Sequence, residues 1–186
     1  MPWIREIEED KAGGKLKEVY ENIKKNRGKL SNIMKIQSLM PDVMESHLKL
    51  YMDIMFNKNS GITREEKELI AVIVSAINDC PYCVSHHAEA LNAYWKDPAK
   101  IQQVINDYKT VDLPVRTFAI LSYAEKLTLY PGSVDEHDIE NLQLHGISDE
   151  DILNINLVVS YFNFVNRIAN GLGVEHSDEE VKGYVY

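Results

Sequence analysis

The run Leu69 to Ile77, Leu-Ile-Ala-Val-Ile-Val-Ser-Ala-Ile, constrains this chain more than any other stretch. It is apolar nearly all round, so a helix built from it has no face to offer water and belongs deep in a core. Thr63 followed by Glu66 is the pattern whose two side chains cap a first turn reciprocally, so the helix opens at Thr63 and runs to about Ile77. Asn78 and Asp79 break it. Asp79 is then a candidate cap for a second helix, from Cys80 to about Trp95.

The other segments keep the helical period. Lys15 to Lys25 carries Leu16, Val19, Tyr20 and Ile23 at helical spacing, and Gly28 ends it. Ser31 caps a short helix that must stop before Pro41, and Pro41-Asp42 opens another with Met44, His47, Leu48, Tyr51 and Met55 on one face. Asp97-Pro98 starts a helix through Tyr108, and Pro114 one from Val115 to Leu129. Ser133 with Glu136 caps a short helix closed by Gly146, and Ser148 with Asp151 a long one reaching about Asn170. Gly171 and Gly173 then release an acidic, loosely held tail. No run alternates apolar and polar residues as paired strands do, so the fold class is all-α.

With 186 residues, 45% of them hydrophobic, the chain can bury a real core, and one helical domain over residues 1–186 is expected. Setting Thr63 against Ser148 aligns two capped helices that share Ser75/Ser160 and Asn78/Asn163. That is a weak internal echo of 63–94 in 148–174, and only the first copy carries cysteines.

A formal net charge of −9 argues against nucleic acid, because phosphate binding needs clustered Lys and Arg. The one basic cluster, Lys24, Lys25, Arg27 and Lys29, reads as a solvated helix end. No stretch approaches the roughly 20 apolar residues of a membrane helix. The N-terminus lacks a basic segment followed by an apolar one, so a cytoplasmic location is expected. In a reducing compartment, a lone close-spaced cysteine pair suits catalysis or metal binding better than a structural disulfide.

The candidate chemistry lies in Glu68, Cys80, Cys83 and His87. On a helix, the two cysteines and His87 fall within about 60° of one another. A thiolate at a helix start is favoured by unpaired N–H groups and the positive end of the dipole. His87, four residues after Cys83, is placed to deprotonate that thiol. If the two helices fold into an antiparallel hairpin, Glu68 and His87 lie at depths differing by roughly 4 Å, at ~1.5 Å per residue. A buried Glu68 is expected to have a raised pKa. His86 reads as a surface or packing histidine, and His47, His137, His145 and His176 have no companions in sequence. The same four residues admit a different reading, as ligands of a zinc ion. A third treats the motif as structural in a non-enzymatic helical oligomer.

Glu68, Cys80, Cys83 and His87 reproduce the Glu-x11-Cys-x2-Cys-x3-His pattern of alkylhydroperoxidase AhpD, within the carboxymuconolactone decarboxylase-like superfamily. The flanking SAINDCPYCVSHH, the upstream Gly-x-Leu-x3-Tyr and the late FNFVNRIANGLGV resemble its peroxidase-related branch, over about Ile4 to Val174. The resemblance implies an AhpD-like fold assembled as a trimer or hexamer. It also implies a peroxide substrate, with Cys83 attacking it, Cys80 resolving the product, and His87 and Glu68 relaying the proton. One position departs: where AhpD has a histidine before the second cysteine, this chain has Tyr82, a poor base at neutral pH. No glycine-rich dinucleotide fingerprint is present. The expectation is therefore an enzyme with no bound organic cofactor, no metal, and a separate dithiol electron donor.

Overall fold

A computed structural model describes residues 2–184, and among them every regular element is helical. The α-helices run α1 (Gly14–Arg27), α2 (Asn32–Lys35), α3 (Pro41–Met55), α4 (Arg64–Ile77) and α5 (Pro81–Trp95) in the first half. They continue as α6 (Pro98–Asp107), α7 (Val115–Leu129), α8 (Glu136–Leu144), α9 (Asp149–Leu172) and α10 (Asp178–Val181). The fold among the described residues is all-α. None of these helices is long and apolar enough to cross a membrane.

The all-round apolar helix is the centre. Every residue of α4 from Lys67 to Ser75 is buried, and α5, α7 and α9 pack around it. Its start is fixed locally: Thr63 Oγ1 accepts from the Glu66 N–H at 3.2 Å, and the Glu66 carboxylate accepts from the Thr63 N–H at 2.8 Å. This reciprocal cap satisfies two donors that the helix would otherwise leave bare. A second, smaller apolar cluster joins Leu16, Val19, Tyr20 and Ile23 of α1 to Met34, Met44 and Leu48. The seam between the two clusters is where the site lies.

Four local readings are corrected by the structure. Asp79 does not cap α5: it sits at φ +48°, in the left-handed region, and turns the chain so that Cys80 takes the N-cap position. Asparagine and aspartate tolerate that conformation better than most residues. Ser133 lies in a 3-10 turn, and α8 is capped by Asp135, whose partner in the reciprocal box is Asp138. The basic cluster is not wholly solvated. Lys24 meets Glu9 at the surface, but Arg27 is buried, its guanidinium 5.1 Å from the Tyr51 ring centroid and 4.9 Å from that of Phe56.

The tail is the fourth. Gly173 does end α9 in the left-handed region, where a Cβ would lie 2.5 Å from the Trp3 indole. Beyond it the chain is not loose. It returns across α5 and is tied down by Lys29, whose ammonium donates to the carbonyls of Glu179, Glu180 and Lys182 at 3.0, 2.7 and 3.1 Å. Val185 and Tyr186, also part of that acidic-tail reading, lie outside the described residues.

Candidate active site

Helices α4 and α5 form the hairpin that brings the four residues together. The Asn78-Asp79 break turns the chain, the Cys80 N–H returns to the Ser75 carbonyl at 2.9 Å, and α5 runs back along α4. Across the hairpin His87 Nδ1 meets Glu68 Oε2 at 2.6 Å, a direct contact with no intervening water needed.

Glu68 is fully buried, yet its pKa is lowered, not raised as burial alone suggests. Burial does push it up. The His87 imidazole on one oxygen and the Arg64 guanidinium on the other outweigh that push. Arg64 reaches Oε1 through Nε at 2.7 Å and Nη2 at 2.5 Å, and also donates to the Tyr51 hydroxyl and the Met55 carbonyl. Burial lowers the pKa of His87, and the adjacent carboxylate only partly restores it, so at neutral pH the imidazole is neutral. An ionised carboxylate can only accept. His87 must therefore carry its proton on Nδ1, which leaves Nε2 as the lone-pair nitrogen.

Both cysteines are buried, with side chains almost wholly inaccessible. Their titration belongs to the pair. Cys80 is brought down to about 7, first by the hydrogen bond donated from the Cys83 thiol, then against burial by the Cys83 backbone, the Asn166 amide and the charge at His86. Cys83 is pushed well up because it is the donor in that bond and because it is buried. The pair thus loses one proton readily and holds the other between its sulfurs. The main source of the low value is the second thiol, rather than the helix start that the sequence suggested.

Beneath the sulfurs lies a polar floor. Asn166 of α9 donates to Ser75 Oγ at 3.0 Å, and both side chains favour the Cys83 thiolate, against the larger push upward. Asn78 Nδ2 donates to Asn163 and Asn166 at 3.1 and 3.0 Å, closing the network between α4 and α9. In front of the sulfurs is a cavity of about 80 Å³. Cys83 and His87 line it together with Ile23, Leu48, Phe162 and Val165, whereas Cys80 does not reach it.

Tyr82 and His86 form the other side. The buried Tyr82 hydroxyl accepts from the Ile33 N–H at 3.1 Å and donates to Glu180 at 3.1 Å. Burial and the Glu180 charge raise its pKa far above the ordinary tyrosine value, so it serves as a donor and not as a base. His86 is not a surface residue: its ring lies 4.3 Å from that of Tyr82, Nδ1 contacts the Tyr82 carbonyl at 2.8 Å, and Nε2 pairs with Glu180 at 2.6 Å. Burial raises the Glu180 carboxyl, but His86, the Asn32 N–H and Tyr184 together carry it below the usual range. His176 also acquires a partner, Ser85 Oγ, at 2.9 Å.

Sequence reasoning missed Arg64, Ser75, Asn166 and Glu180 as parts of this site. Arg64 was accessible from its i,i+4 spacing to Glu68. Ser75 stood out as a polar residue in an apolar run. Asn166 and Glu180 lie 91 and 98 residues from the groups they touch, and no local signal marks them. The zinc reading finds no support in the geometry. Both Glu68 oxygens are engaged, and among the described residues no three His, Cys, Asp or Glu side chains converge as metal ligands.

Residues 41–111 match the carboxymuconolactone decarboxylase family. Over its whole length the chain is similar to the alkylhydroperoxidase AhpD core of an uncharacterized peroxidase-related protein from Ralstonia eutropha JMP134. The two share 30% identity over 97% of this chain and 94% of that one, with a TM-score of 0.86. An uncharacterized peroxidase-related protein from Silicibacter sp. TM1040 shares 29% identity over 89% and 86% of the two chains, at a TM-score of 0.81. The debrominase Bmp8, solved in complex with 2,3,4-tribromopyrrole, shares the fold at 22% identity, covering 94% and 91%, with a TM-score of 0.77.

Proposed function

The chain belongs to the AhpD-like, carboxymuconolactone decarboxylase-like superfamily, and on that premise we propose that it is a thiol-dependent peroxidase acting through Cys80 and Cys83. The observation that carries this reading is that one cavity holds both the Cys83 thiol and the His87 imidazole, whose Nδ1 is fixed by buried Glu68.

Cys83 is the attacking sulfur because it is the one that faces the cavity. Its proton passes to His87 Nε2 or to the Cys80 thiolate, and the Cys83 thiolate attacks the terminal oxygen of a hydroperoxide. An S–O bond forms as the O–O bond breaks, and the departing alkoxide takes one proton to leave as an alcohol. Cys83 becomes a sulfenic acid. The Cys80 thiolate then attacks the Cys83 sulfur, a disulfide forms, and hydroxide leaves as water with the second proton. An external dithiol donor supplies two electrons by exchange and is itself oxidised to a disulfide. Glu68 and Arg64 keep the imidazole in the basic tautomer throughout. Apolar walls such as Leu48, Phe162 and Val165 favour a small organic hydroperoxide as substrate. Exposed Leu153, Leu157 and Phe164 along α9 support assembly into a homo-oligomer.

The test is stopped-flow reaction of the reduced protein with hydrogen peroxide and an alkyl hydroperoxide, followed by mass mapping. Consumption with a Cys80–Cys83 disulfide is expected. Absence of that disulfide under excess peroxide sinks the reading.

A further inference from the structure

We propose that Glu180 is a specificity-determining residue: it fastens segment 177–184 across the mouth of the thiol cavity and sets, by size, what reaches Cys83. The identity of the substrate rests on the peroxidase reading above, whereas the control of access does not.

The walls of the cavity are of two kinds. Most come from α1 to α5 and α9, where lining residues such as Ile23, Met34, Leu48, Phe162 and Val165 belong to the two apolar clusters and cannot move without opening the core. The part of the wall that lies beyond α9 is Tyr184. It belongs to a segment in which Val181 is the one buried apolar residue among those described. That segment is held by polar contacts instead. Glu180 Oε1 accepts from the Tyr82 hydroxyl at 3.1 Å, the Asn32 N–H at 3.1 Å and the Tyr184 hydroxyl at 2.8 Å, and Oε2 pairs with His86 at 2.6 Å. One carboxylate therefore joins the segment to α2, to α5 and to the cavity wall itself. Lys29 supplies the second attachment through three backbone carbonyls.

A wall held by few apolar contacts and many polar ones opens at lower free energy than one built into a core. The Cys83 sulfur is inaccessible with the segment in place, and reaction demands approach to roughly 3–3.5 Å. A small peroxide fits the cavity of about 80 Å³. A bulky reagent reaches the sulfur only when the segment lifts. A macromolecular dithiol falls on the same side of that limit, so re-reduction waits on the segment while oxidation by a small peroxide does not.

The experiment compares the full-length protein with Glu180→Gln and Lys29→Met. Reduced protein is modified with iodoacetamide and, separately, with a polyethylene glycol maleimide, and labelling is mapped to Cys83. The ratio of the two rates cancels any change in thiolate fraction, because both reagents need the thiolate. In each variant the bulky-to-small ratio is expected to rise about tenfold, as loss of charge-assisted contacts enlarges the open population. Lys29 contacts the segment from outside the cavity, so Lys29→Met decides the matter if Glu180→Gln does not fold. An unchanged ratio in the folded variants overturns the proposal. In a parallel arm, consumption of cumene hydroperoxide relative to hydrogen peroxide should rise in the same variants. If neither peroxide is consumed, the peroxidase reading fails while the labelling ratio still decides the role of Glu180.

Discussion

His87 Nδ1 and Glu68 Oε2 lie 2.6 Å apart across a helical hairpin, and the carboxylate is ionised, so it dictates which imidazole nitrogen carries the proton. Glu68→Gln removes that dictate, because an amide can donate as well as accept. We expect the rate of Cys83 oxidation in Glu68→Gln to fall by ~10²-fold, the lower range for loss of general-base function. His86→Ala, whose partner is Glu180, should fall far less. Equal effects in the two variants would remove the reason for assigning the base to His87.

The two sulfurs should be separable by substitution. Cys83→Ser is expected to abolish peroxide consumption. Cys80→Ser should permit a single turnover and leave a sulfenic acid at Cys83 that a dimedone-type trap labels. Labelling of Cys80 in the Cys83→Ser protein would reverse the assignment.

Alkylation of the wild-type pair by iodoacetamide should follow a first ionisation at about 7, with reactivity present above that pH and lost below it. Asn166→Ala withdraws an amide that favours the thiolate at both sulfurs, so its midpoint is expected to move upward. A midpoint at the ordinary thiol value of ~8.5 in the wild type would contradict the electrostatics described here.

His47 offers a test of stability alone. It is buried against Tyr161, with Nε2 2.7 Å from the hydroxyl, and burial lowers its pKa to about 4. Between the unfolded value near 6.5 and about 4, the unfolded chain takes up a proton that the folded one refuses. Stability therefore falls as pH falls through that window, by roughly 3 kcal/mol at ~1.4 kcal/mol per pH unit. His47→Gln cannot titrate, and urea unfolding between pH 4 and 6.5 should show a correspondingly shallower slope. Parallel slopes for the two proteins would show that His47 is accessible to protons.

The helices were legible because their signals are local. Thr63 with Glu66 and Ser148 with Asp151 state their caps within one turn of chain, and the structure places both as read. Asp79 misled because a cap and a left-handed break draw on the same residue types. Of the site, Glu68, Cys80, Cys83 and His87 were found because one hairpin presents them at helical spacing. Asn166 and Glu180 were not, because only packing brings α9 and the C-terminal segment to the site. The sign of the Glu68 shift was misread for the same reason. Burial is visible in an apolar stripe, but the balance between burial and two partners depends on distances.

The polar floor joining Ser75 and Asn78 to Asn163 and Asn166 spans 85 to 91 residues of chain. Contacts of such separation form only after the intervening chain is in place. During synthesis, Cys80 and Cys83 emerge long before α9 does. Until α9 docks, neither sulfur has the Asn166 amide, and the cavity has no Phe162 or Val165 to shield it. A nascent chain therefore exposes the cysteine pair before the amide and the apolar walls that complete its setting are in place, so the thiols pass through synthesis unshielded and meet their cavity only late in folding.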